Sequence, residues 1–300
     1  MADLKIGLVG LDTSHAIAFC KCFNKPGDAE HVPGGRIVCA FPGGSSDFEL
    51  SHSRVEKFTM QARDEFGVQI LDTPEAVAEA VDLLFIIAVD GRTHLDYVRK
   101  TIPARKPTFI DKPFATKSAD AKEMFKLADQ HSVPMMSCSS LRYAQTLEAA
   151  LSDDSLGKIV GVDAFGPMNI EPSQGGLFWY GIHTVEIVNR VMGNGCREVK
   201  ATTTDNHDVV TATYADGRVA SLHGLRHAHA KFGATIHREK GFQTVDCAAG
   251  KRSWYASMLE GIMRSLPNGK ADIDPATTLE VVRWIEAANE SRGSGQTVKL

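Results

Sequence analysis

The sequence has 300 residues, 43% hydrophobic and 23% charged, which is long for one core, comfortable for two domains and ordinary for a globular chain. A net charge of −4 without a clustered basic excess argues against nucleic acid as a partner, and no run approaches the roughly 18 apolar residues of a membrane span. Residues 1–10 lead straight into an apolar run with no charged leader or cleavage site, so the expectation is a cytoplasmic protein.

In chain order, the first part alternates strand-like and helix-like segments. Residues 5–9 form a short apolar run suited to a doubly buried strand, and 15–24 have helical spacing. Residues 36–41 give a second strand, 55–66 a helix, 68–71 a short strand and 73–80 a helix opened by Thr73-Pro74-Glu75. Strands at 83–88, 107–110 and 134–137 alternate with helices at 93–100 and 118–130. Such alternation predicts a parallel sheet wound through right-handed crossovers.

The pattern changes near residue 142. After a helix at 144–151, strands are predicted at 159–165, 199–204, 209–214, 219–223, 233–237 and 243–246. Asp216-Gly217 marks a hairpin turn between two of them. One helix at 182–191 interrupts this set, and helices at 253–264 and 275–289 precede a strand at 297–300. The fold class expected is α/β: a Rossmann-type, doubly wound parallel sheet over residues 1–140, then an α+β domain with a mainly antiparallel sheet over 141–300 for substrate and oligomerisation.

The six cysteines, Cys20, Cys22, Cys39, Cys138, Cys196 and Cys247, lack metal or redox spacing and read as reduced thiols. His223, His227, His229 and His237 form a histidine-rich stretch. No acid or cysteine completes a ligand set, so no metal is expected and a solvated strand face is the simpler reading.

The turn after the first strand is the natural place for a dinucleotide, whose fingerprint is G-x-G-x-x-G. Here it reads Gly10-Leu11-Asp12-Thr13-Ser14-His15, keeping one glycine and placing Asp12 where phosphate comes closest. Two like charges about 4 Å apart repel by roughly 4 kcal/mol at an effective dielectric of 20. Asp12→Gly is therefore expected to tighten cofactor binding, unless Asp12 or Thr13 serves as the helix cap. The second strand ends at Phe41-Pro42-Gly43-Gly44-Ser45-Ser46 without the acid that would hold a ribose hydroxyl. Gly43, Gly44, Ser45 and Ser46, with Arg54 as counter-charge, lean toward NADP over NAD.

Two further stretches carry a resemblance. Ala88-Val89-Asp90-Gly91-Arg92-Thr93-His94 is followed by Asp111-Lys112-Pro113-Phe114-Ala115. Gly175-Gly176 then leads through Trp179-Tyr180-Gly181-Ile182-His183 to Glu186. This chain resembles the Gfo/Idh/MocA oxidoreductases, whose E-K-P motif differs here only in Asp111, and whose G-x-H-x-x-D segment is matched by His183 and Glu186. Trp179 stands where that family has an acid.

The resemblance implies NAD(P)-dependent hydride transfer on a sugar, cyclitol or related polyol. Lys112 and His183 would be the catalytic pair. Ala88, Val89, Asp90, His94, Asp111 and Pro113 would join Gly10, Asp12, Thr13, Ser14 and His15 at the cofactor. Arg142, Trp179, Tyr180 and Glu186 would meet substrate, and Ser137–Ser140 could line its pocket. Replacing an acid with Trp179 removes a proton acceptor and supplies a face for stacking on a sugar ring. The altered glycine turn keeps two alternatives open: a non-redox lyase or hydratase on a keto-sugar, and a non-catalytic ligand-binding protein. A homodimer or homotetramer is the expected assembly.

Overall fold

Fully buried apolar runs make the first sheet. In the computed structural model, which describes residues 3–227 and 231–300, the first eleven elements are β1 (Leu4–Val9), α1 (Ser14–Asn24), β2 (Gly35–Phe41), α2 (Glu49–Phe66), β3 (Gln69–Ile70), α3 (Pro74–Ala80), β4 (Leu83–Ile86), α4 (His94–Thr101), β5 (Thr108–Asp111), α5 (Ser118–His131) and β6 (Met135–Cys138). The strand order is β3-β2-β1-β4-β5-β6, and every pairing is parallel. Every residue of β4, β5 and β6 is buried, as expected for a sheet covered on both faces. The crossover between β1 and β4 opens a topological switch point at their carboxyl ends, where such sheets bind ligands.

Local signals explain the helix boundaries. Thr73 caps α3 by accepting the Ala76 N–H at 3.1 Å, with Pro74 opening the helix. α2 ends at Gly67, whose left-handed φ of 67° lets its N–H return to Ala62 and Arg63. α2 starts six residues earlier than the sequence pattern predicts, because its first turns are polar and Phe48 offers no capping side chain.

The remaining elements are α6 (Gln145–Ser152), β7 (Ile159–Pro167), α7 (Gly181–Met192), β8 (Cys196–Thr203), β9 (His207–Tyr214), β10 (Val219–Leu225), β11 (Gly233–Arg238), β12 (Gly241–Asp246), α8 (Trp254–Ser265), α9 (Pro275–Ser294) and β13 (Val298–Lys299). The second sheet runs β12-β11-β7-β10-β9-β8-β13. Gly217, with a φ of 87°, turns β9 into β10 at the expected hairpin. The sheet is mainly antiparallel, as expected, with one parallel pair, β7 and β10. Strands distant in sequence found each other there, and alternation along a strand carries no direction.

The chain divides into two compact units. One comprises Met1–Ala115, Ala119–Cys138 and Tyr255–Pro275; the other comprises Thr116–Ser118, Ser139–Trp254 and Ala276–Leu300. Most of α8 thus belongs with the first sheet: the Tyr255 ring lies edge-on to His15 at 4.8 Å, and Ser265 reaches the Met136 sulfur at 3.8 Å. No helix among the described residues is long and apolar enough to cross a membrane.

Candidate active site

In the first unit, Gly10 has a φ of 98°, and a Cβ there would sit 2.4 Å from the Ala88 nitrogen. Only glycine lets this turn ride on the end of β4. Thr13 caps α1 by accepting the His15 N–H at 3.3 Å. Asp12 has another task. It is 0% exposed and turned inward, accepting the Ser51 hydroxyl at 2.6 Å and the Val89 N–H at 3.0 Å. Burial pushes its carboxyl above the usual range, against the lowering effect of those two bonds. The charge expected to repel phosphate is therefore directed into the protein. Ser51, which sequence reasoning missed, also accepts the Ser45 N–H at 2.8 Å.

The segment after β2 is fastened to this turn. The Leu11 N–H reaches the Pro42 carbonyl at 2.7 Å. Arg92 holds Asp47 bidentately at 3.0 Å and Asp90 at 2.7 Å. Gly44 and Ser46 are exposed, Gly43 is half-buried, and Ser45 is buried. Arg54 is half-buried on α2. Ala88, Val89 and Asp90 are all buried. His94 is buried between the carbonyls of Ala88, at 2.8 Å, and Phe114, at 3.1 Å, and holds α4 against the sheet.

At the carboxyl end of β5, Asp111 forms an ion pair with His15, reaching past β4 to the start of α1. Burial alone would raise the Asp111 pKa, but His15 and Lys112 outweigh it and hold the carboxyl below the ordinary range. Lys112 is half-buried, and desolvation pushes its ammonium pKa down against the opposing pull of Asp111. The Lys112–Pro113 peptide is cis.

In the second unit, α7 presents His183 and Glu186 one turn apart. The His183 Nδ1 lies 2.6 Å from the hydroxyl of Ser139, and its ring is edge-on to Tyr180 at 5.8 Å and Phe232 at 5.2 Å. Glu186 is buried, which raises its pKa, while Arg142 lowers it through an ion pair at 3.0 Å. Arg142 also donates to Asn189 at 3.1 Å. Trp179 and Tyr180 are half-buried, with rings 6.2 Å apart. Of the serines flanking the end of β6, Ser139 is the one that meets a candidate catalytic side chain.

A separate cavity of about 620 Å³ in this unit is lined by Gly175, Gly176, Phe178, Asn289 and Arg292, away from His183 in its lining. On the second sheet, the exposed His223 lies 3.0 Å from His207, and His237 meets Asp163 at 2.7 Å. His227 follows β10, and His229 lies outside the described residues. Among the described residues no three metal-ligating side chains converge.

Residues 48–138 match the model of an oxidoreductase family with an NAD-binding Rossmann fold, GFO_IDH_MocA. That match begins beyond the Gly10 turn. The chain is 24% identical to D-apiose dehydrogenase of Paraburkholderia graminis over 78% of each chain. It is 25% identical to the uncharacterized oxidoreductase YhhX of Escherichia coli over 41% of this chain, which spans only 39% of YhhX. The apo scyllo-inositol dehydrogenase of Lactobacillus casei superposes with a TM-score of 0.82 at 15% identity, covering 99% of this chain and 98% of that one. A structure of scyllo-inositol dehydrogenase from the same organism with NAD(H) and scyllo-inositol bound gives 0.79 at 16% identity, covering 99% of each. The parallel sheet, the Asp111-Lys112-Pro113 strand end and the match over residues 48–138 agree in making this chain similar to the Gfo/Idh/MocA oxidoreductases, and its fold is that of the inositol dehydrogenase structures.

Proposed function

We propose that the protein is an NAD(P)-dependent dehydrogenase moving hydride between nicotinamide and a secondary alcohol or ketone of a sugar, cyclitol or related polyol. The observation that carries this reading is Lys112, a lysine at the carboxyl end of a buried parallel strand whose ammonium pKa is pushed down by desolvation. Ligands of doubly wound sheets sit at that end, and a lysine whose pKa is lowered by desolvation suits proton exchange with a ligand there.

The residues of the first turn fit a dinucleotide. The Asp12 carboxylate faces inward, and Ser14 is exposed at the start of α1, where backbone N–H groups favour a pyrophosphate. Gly10, Thr13, Ser14 and His15 would hold it there, with Gly43, Gly44 and Ser46 beside the ribose. The strand end lacks an acid and Arg54 stands on α2, which favours NADP. When bound, the nicotinamide supplies the hydride acceptor. As a neutral amine, Lys112 would accept the proton of the reacting hydroxyl, and the ammonium so formed would hold the oxygen while its carbon gives up hydride. His183 hydrogen-bonds the same class of oxygen, Trp179 offers an apolar face to a sugar ring, and Arg142 and Glu186 brace α7. The exposed Val160, Val219 and Phe242 on the second sheet favour a homodimer or homotetramer, which sedimentation would measure.

Calorimetric titration with NAD and NADP, followed by a polyol panel read at the reduced-nicotinamide band, tests the reading. Binding with polyol-dependent reduction is expected. Binding without reduction of any polyol would move the protein to non-redox chemistry on a keto-sugar. Absence of binding would leave a non-catalytic ligand-binding protein.

A further inference from the structure

We propose that Ser139 is a positioning residue that fixes the tautomer of His183, so that the imidazole presents a proton on Nε2. Ser139 is 0% exposed, just beyond β6. Its Oγ accepts the Leu141 N–H at 3.2 Å and lies 2.6 Å from the His183 Nδ1. A hydroxyl has one hydrogen to give and two lone pairs to offer. The Leu141 N–H is a donor, so among the described residues the acceptor for the Ser139 hydrogen is Nδ1. A neutral imidazole has one bare nitrogen; if that is Nδ1, the ring proton is on Nε2. The opposite tautomer would point an Nδ1 hydrogen at Oγ and leave the serine hydrogen buried without a partner.

The surroundings hold this geometry. The backbone N–H of Ser139 faces Glu186 Oε1 at 3.4 Å, and Arg142 pins the other Glu186 oxygen at 3.0 Å. His183 and Glu186 project from one face of α7, so a single helix grips Ser139 at its hydroxyl and at its amide. Tyr180 and Phe232 stand edge-on to the imidazole and set its plane. Trp179, four residues before His183, brings no carboxylate to compete for Nδ1.

The consequence rests on the dehydrogenase reading above. A carboxylate on Nδ1 would demand a proton there and leave Nε2 as a base. A serine hydroxyl reverses the polarity. His183 then donates from Nε2 to a substrate oxygen, orienting it, and is not itself the proton acceptor.

The test is the ring-nitrogen NMR spectrum of the full chain with labelled histidine, at mildly alkaline pH where imidazole is neutral. The His183 signals are assigned by their loss in His183→Gln. Expected is a bare Nδ1 and a protonated Nε2 in the wild type and in Ser139→Thr, which keeps the hydroxyl, with the preference lost in Ser139→Ala. A protonated Nδ1 in the wild type, or an unchanged spectrum in folded Ser139→Ala, overturns the proposal. The spectrum requires no turnover, so it is decided separately from the dehydrogenase reading. Where a polyol substrate is found, Ser139→Ala should lower kcat about tenfold with KM little changed, and Ser139→Thr should restore it. Equal kcat in all three proteins would also overturn it.

Discussion

The Ser51 hydroxyl donates to the Asp12 carboxylate at 2.6 Å, joining the start of α2 to the turn after β1 across 39 residues of sequence. Asp12 also accepts the Val89 N–H, so one carboxylate links the ends of β1 and β4 and the start of α2. Asp12→Gly removes both bonds and leaves two buried donors, each costing about 1–3 kcal/mol. The expected result is a lower urea midpoint and no tightening of NAD or NADP binding. An unchanged midpoint, or tenfold tighter binding, would show that Asp12 faces the phosphate after all.

The His15–Asp111 pair makes a prediction in acid. Asp111 is held below its unfolded pKa, so its contribution to stability is present above about pH 4 and lost as pH falls through the lower folded value. His15→Ala leaves a buried carboxylate with its main partner gone, and should cost about 2–4 kcal/mol near neutrality. The same change should remove this acid-side loss from the stability profile. Thermal unfolding between pH 2 and pH 7 checks both, at roughly unit intervals.

Lys112→Met separates chemistry from folding. The substitution relieves the burial of an ammonium but takes a compensating charge from Asp111, so circular dichroism first confirms that the variant is folded. Turnover should fall by about a hundredfold or more, the usual cost of one oriented electrostatic donor. Near-normal turnover in folded Lys112→Met would take the lysine out of the mechanism.

Gly10→Ala tests the close approach of the turn to β4. A methyl group would meet the Ala88 nitrogen at 2.4 Å and Cα at 2.5 Å, with the backbone at a φ of 98°. The carboxyl ends of both strands are buried, so the expected loss is about 2 kcal/mol or more, read by urea denaturation. Ser46→Ala, in the exposed part of the neighbouring segment, should stay within about 0.5 kcal/mol of wild type and serves as the control.

The alternation of apolar runs with helical spacing made the first sheet legible, since β4 and β5 are buried along their length and contain little else. Lys112 was legible because it sits in a short motif at the end of such a run. The inward turn of Asp12 was not, because its meaning depends on Ser51 and Val89, and sequence spacing says nothing of a contact 77 residues away. Ser139 was visible as part of a serine-rich strand end, but its partner sits 44 residues later on a helix. The Arg92 clamp on Asp47 was missed likewise: a solvated charge and a bidentate tie look the same in sequence.

The membership of Tyr255–Pro275 in the first unit has a consequence for synthesis. Chains emerge from the ribosome amino end first and tend to fold domain by domain. Here the six parallel strands are all made by Cys138, yet the helix that sets Tyr255 against His15 and Met263 beside Gly35 appears more than a hundred residues later. The nascent first unit must wait, its helix-binding face uncovered, while nearly the whole second sheet is translated. A fragment cut at residue 140 would remain in that waiting state, with exposed apolar surface and a tendency to associate.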